Sequence, residues 1–202
     1  INGGTPMPGV HMGRTHARPG ETANTQGAGA GGAVNIQANR VSLTDGATIS
    51  AASTGTGSPG MVSVDAARTI SINNGAIAAA GPGQGGNVSL HAGQSIHLRN
   101  GSLISVDNTG VGNAGNIVID AGTAFLGQNS IVSAQAGQGH GGTIILQAPD
   151  AVRLNNSRVT TSIGGGPGDT AGNIVVESNL VRLRNSQIVS DAAVGQGGNI
   201  II

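Results

Sequence analysis

Ionisable side chains are scarce in this chain, so those that recur at matched positions draw the first attention. Across 202 residues there are nine arginines, nine acids, five histidines and no lysine. When the chain is divided into its repeats, Gln37, Asp65, His91, Asp120, Gln147 and Glu177 fall at one equivalent outward position. His91 then lies one repeat from Asp65 and one from Asp120. An imidazole between two carboxylates can bind a cation or exchange a proton, and paired carboxylates are the working groups of glycan-cleaving enzymes. The other reading is a solvent-facing charge ladder, in which opposite charges on neighbouring strands support pairing. The ladder is the expectation here. With no tryptophan or tyrosine, the usual stacking platforms for sugars are missing, and neither catalysis nor a cofactor is expected.

A second outward set contains Arg153, Arg182 and Arg184, with His97 and Arg99 on the equivalent strand and Arg158 nearby. Guanidinium groups hold sulfate, phosphate or carboxylate through paired hydrogen bonds, so this stripe is a candidate surface for an anionic glycan. Arg153 and Arg182, as neighbours, would repel each other slightly.

Both sets depend on a repeat that positions them. Its opening glycine recurs at Gly32, Gly60, Gly86, Gly115, Gly142, Gly172 and Gly198, giving intervals of 28, 26, 29, 27, 30 and 26 residues. A period of that length signals a solenoid. In residues 86–116, Val88 and Leu90, Ile96 and Leu98, and Ile104 and Val106 each alternate with polar residues, as three strands with one buried face do. The first strand of successive units supplies Val34 and Ile36, Val62 and Val64, Val88 and Leu90, Ile117 and Ile119, Ile144 and Leu146, and Ile174 and Val176. The second supplies Val41 and Leu43, Ile70 and Ile72, Ile96 and Leu98, Phe125 and Gly127, Val152 and Leu154, and Val181 and Leu183. Stacked in register about 4.8 Å apart, these become columns of like side chains. Phe125, the one aromatic, stands two residues from a missing side chain at Gly127, which predicts a compensated core volume.

Asp45, Asn74, Asn100, Asn129, Asn156 and Asn185 follow the second strand, each before Gly or Ser. Asn and Asp tolerate the left-handed conformation of a tight bend, and stacked amides can bond to one another. A second set, Asn87, Asn116, Asn173 and Asn199, opens the first strand. The passages 52–59, 80–85, 107–114, 135–141, 162–171 and 191–197 vary in length, are rich in Gly, Ala and Gln, and are expected to form one surface ridge that acts as a spacer.

Composition narrows the function further. The formal net charge is zero, which gives no footprint for nucleic acid or an acidic membrane. The longest apolar runs fall far short of the roughly 20 residues of a membrane span. Calcium nonapeptides, phosphate-binding loops and regular threonine columns are all lacking. Residues 1–21, with Pro6, Pro8 and Pro19, read as an irregular linker or a degenerate coil, and 22–202 as the regular body of a piece of a longer protein.

Gly-Gly-Asn-Ile/Val, Val-x-Leu-x-Asn-Gly/Ser and Gly-x-Gly, with Ile-Ser-Ala at 49–51, mark residues 32–202, most clearly at 115–136 and 172–199. In these motifs the chain resembles the repeat region of filamentous haemagglutinin-type adhesins, exported by two-partner secretion, particularly the cyanobacterial forms. That resemblance implies an all-β, right-handed parallel β-helix, here about six coils of 26 to 30 residues. It also implies passage through an outer-membrane secretion partner, a secreted or cell-surface location, and adhesion to host-cell or other surface glycans. The family's Asn-Pro-Asn secretion motif and Arg-Gly-Asp are absent from this sequence. The expectation is a structural stalk; the alternative is a β-helix that binds or cleaves polysaccharide.

Overall fold

The structure, a computed structural model, describes residues 10–11, 21–24 and 29–202. The irregular stretch 1–21 lies outside the described residues except at Val10–His11 and at Glu21. Every strand pairing is parallel, and the chain winds as a β-solenoid of about six turns. Among the described residues one sheet holds 12 strands, a second holds 7 and a third holds 2.

Parallel pairing follows from the repeat, because each turn returns the chain to the same face one rung higher. Val62, Val88, Ile117, Ile144 and Ile174 are consecutive register partners, as are Val64, Leu90, Ile119, Leu146 and Val176. On the second strand the column is Val41, Ile70, Ile96, Phe125, Val152 and Val181. The third strand adds Ile49, Ile77, Ile104, Val132, Val159 and Ile188. Most of these side chains are buried in one continuous core. Burying each Val, Ile or Leu contributes on the order of 1.5–3 kcal/mol, so the columns supply the main drive for coiling.

In the first two coils, the first and second strands run on as single strands, Val34–Thr44 and Met61–Asn73. From the third coil they separate, as Asn87–Ala92 and Ser95–Arg99 do, with Gly93 at the bend. A Cβ on Gly93 would collide with the Ala67 carbonyl of the coil before.

The bend after the second strand is built by the Asp and Asn column. Asp45, Asn74, Asn100, Asn129, Asn156 and Asn185 all have positive φ, between 48° and 57°. Their amides do not form the expected ladder at this corner. Asn100 Nδ2 donates instead to Asn73 Oδ1 at 2.7 Å, and the corners are tied by backbone bonds such as Asn129 N to Asn155 O, 2.9 Å. The reason is geometric: the backbone already links the rungs here, and the side chains project to solvent. Asparagines do link coils at the opening of the first strand. There Asn87 Oδ1 accepts from Asn116 N–H, and Asn116 Oδ1 from Thr143 N–H.

The opening glycines form an axial spine. A Cβ on Gly86, Gly115, Gly142 or Gly172 would strike the carbonyl oxygen of the preceding opening glycine. The same residues close each coil: Gly60, Gly86, Gly115 and Gly142 donate their N–H to the carbonyls of Ala51, Ala79, Val106 and Ala134 at 2.7–3.0 Å. Between each such carbonyl and the next glycine lies one variable passage, so added residues are shut out of the rungs. The ridge is more ordered than a plain spacer. Asn108–Val111 pairs with Ala136–Gln138, and Ala136, Ile163 and Ala171 bury a small separate core.

Phe125 is fully buried, but the space beside Gly127 is filled from the next coil. A Cβ there would lie 2.8 Å from Leu154 Cδ2 and 3.2 Å from Ser130 Oγ.

Candidate functional site

The register brings the acid and histidine column together as the repeat requires: Asp65 pairs with His91, His91 with Asp120, Asp120 with Gln147, and Gln147 with Glu177. Within it, contacts form in twos. His91 Nδ1 meets Asp120 Oδ2 at 2.9 Å, and Gln147 Nε2 donates to Glu177 Oε2 at 2.8 Å. Asp65 joins neither pair. The His91 and Asp120 side chains are 50% and 43% exposed, so water screens the pair and its contribution is small. Among the described residues, no group of three His, Cys, Asp or Glu side chains can hold a metal ion.

The arginine stripe divides in two. Arg153 and Arg182 are direct cross-strand neighbours, and Arg184 shares their outward face two residues on. Leu126 separates Arg153 from His97. At that other end, His97 is engaged within its own coil: Arg99 donates to His97 Nδ1 at 3.0 Å, and Nε2 reaches Ser95 Oγ at 2.9 Å. Partial burial, and then the Arg99 charge, push the His97 pKa below its ordinary value. All three arginines of the other cluster are exposed. Among the described residues the one ion pair is His91 with Asp120, so no carboxylate relieves the opposed pair Arg153 and Arg182.

A third feature went unread in the sequence. Where the left-handed corner turns the chain, four successive coils leave an open groove. Three residues from each coil line it, running from Gly101, Ser102 and Leu103 to Asn185, Ser186 and Gln187. Ser102, Ser130 and Ser157 are buried at its base, where Ser102 Oγ donates to Ile72 O at 2.9 Å and Ser157 Oγ to Asn155 O at 2.9 Å. Asn129 and Asn156 are exposed along it. On the other side stand Leu103, Ile131 and Arg158, with Ile131 46% exposed. The available signal was Leu103 and Ile131, apolar residues at an outward strand position.

On the ridge, Asp169 Oδ2 accepts from Gly166 N–H at 2.7 Å and Gly139 N–H at 3.0 Å, joining two passages. These two bonds, with a smaller contribution from His140, hold its carboxyl below the usual range. His140 Nδ1 accepts from the Thr170 hydroxyl at 2.8 Å.

Comparisons with family models, curated proteins and solved structures each found no match for this chain.

Proposed function

We propose that the chain is a structural stalk segment of a secreted or cell-surface adhesin of the filamentous haemagglutinin type. The observation that supports this reading most is the register of the described coils, which shifts between Ala38 and Arg40 and beyond that bulge repeats the interior positions from rung to rung. A stack joined by backbone hydrogen bonds is stiff along its axis, and each rung adds about 4.8 Å of reach. Such a rod holds binding regions of a larger protein away from a cell. The parent would cross the outer membrane through its secretion partner, and folding from one rung to the next suits a chain delivered unfolded. Adhesion to host-cell or other surface glycans would then belong to the parent.

The test is surface labelling of producing cells with an antibody to this segment, with and without the adjacent secretion pore. Label on intact cells that vanishes without the pore supports the stalk role. Label found only after lysis in both strains overturns it.

A second reading, polysaccharide binding by the segment itself, is favoured by Arg153 and Arg182. Like charges opposed across a strand pair destabilise it, and a bound sulfate or carboxylate would relieve them. Salt-sensitive retention on sulfated or uronic polymers, lost in the triple variant Arg153→Gln, Arg182→Gln, Arg184→Gln, would establish it. Equal retention of the variant would remove it.

A further inference from the structure

We propose that the corner groove along residues 101–187 is a binding site for a linear acidic polysaccharide lying parallel to the solenoid axis. The inference depends on neither the stalk role nor the Arg153 cluster. Asn129, Asn156 and Asn185 present their side chains at the same corner of successive rungs, each held by the same left-handed backbone. Their amides have no hydrogen-bond partner within the described chain and are exposed. Each therefore offers two donors and an acceptor, repeated about every 4.8 Å. Opposite them, Ile131 gives an apolar wall and Arg158 a guanidinium with no acidic partner among the described residues.

The occupant follows from the spacing and the charge. A peptide strand in the groove would repeat its side chains about every 6.6 Å, out of step with the rungs. It would also find no free strand edge to pair with, because the coils along the groove bond above and below. A pyranose ring with its linking oxygen is about as long as one rung, so successive sugars of an extended chain fall in step with successive amides, each ring turned relative to the last by the twist of the glycan. Vicinal hydroxyls match the donors and acceptor of that amide, and the C–H face of the ring matches Ile131. Arg158 selects a carboxylate or sulfate on the sugar.

The experiment is an NMR titration of the whole chain with three probes: short oligogalacturonates, neutral cello-oligosaccharides and inorganic sulfate. Oligogalacturonate should shift the side-chain amide signals of Asn129, Asn156 and Asn185. Arg158→Gln should weaken it about tenfold, the scale of one hydrogen bond to a charged group. The double variant Asn129→Gly, Asn156→Gly keeps a residue that accepts positive φ and should weaken binding at least as much, with an unchanged circular dichroism spectrum. Arg153→Gln with Arg182→Gln should leave the affinity as it was. The proposal is overturned if oligogalacturonate does not bind, if the neutral sugar binds equally, or if sulfate alone gives the same shifts. Loss of binding on replacing Arg153 and Arg182 would overturn it too, and would place the ligand on the arginine cluster.

Discussion

The carbonyl oxygen of Gly86 occupies the place that a Cβ on Gly115 would need. The two backbones approach along the axis more closely than any side chain permits, and the same relation recurs up the spine. Gly115→Ala must therefore force coils apart, and overpacking of this kind costs on the order of 1–3 kcal/mol or more. Chemical denaturation should show that loss for Gly115→Ala. Gly29→Ala, where a Cβ would meet nothing within 4 Å, should change stability by less than about 0.5 kcal/mol.

Asn156 separates conformation from side-chain chemistry. With φ at 48°, Asn156→Ala replaces a residue that tolerates the left-handed region with one for which that region costs about 1–2 kcal/mol. Asn156→Gly should be milder, because glycine enters that region freely. Equal losses in thermal melts would mean that the amide itself carries the corner.

His91 and Asp120 form an exposed pair, so Asp120→Asn should lower stability by less than about 1 kcal/mol. Neither His91→Ala nor Asp120→Ala should alter the behaviour of the protein toward anionic polysaccharides. Turnover that disappears in either variant would make the column a catalytic site.

For His97, burial and Arg99 favour the neutral ring. A base with a lowered folded pKa binds fewer protons folded than unfolded. Its contribution is therefore complete above the unfolded value, near 6.5, and falls as the pH drops below it. Proton NMR should give His97 a midpoint below about 6.5, and Arg99→Gln should raise that midpoint.

Asp169 has the opposite sign of charge and a depressed folded pKa. The stability it gives is present above the unfolded value, near 3.9, and is lost as the pH falls through the lower folded value. Protection factors for the Gly139 and Gly166 amides should stay constant from neutral pH down to about 4 and collapse below it. Asp169→Ala should remove that protection at neutral pH.

The columns were legible because a buried strand face repeats its side chains, and Val88, Ile117 and Ile144 share an offset from the opening glycine. The left-handed corner was legible too, since few residues other than Asn, Asp and Gly enter that conformation. Side-chain bonds between coils were not. Asn24 Oδ1 bonds to Ser50 and to the Ala52 N–H, and Asp107 Oδ1 does the same with Ser133 and the Gln135 N–H. Both contacts depend on passages whose sequences differ from coil to coil. Register placed His91 beside both Asp65 and Asp120, but only the rotamers decide which carboxylate it meets. The groove was hidden for a related reason: it arises from four corners together and is marked in no single repeat.

The bond from an opening glycine to the carbonyl at the end of the third strand, present from Gly60 to Gly198, works like a cuff around the base of its passage. Phase along the rod is then independent of what lies beyond the cuff. A foreign peptide replacing residues 162–171 would take Ile163 and Ala171 out of the small ridge core and cut the Asp169 bond to Gly139, while the rungs beneath it kept their places. Length variation between coils is the trace of that freedom: the chain can try new surfaces one passage at a time without refolding its interior.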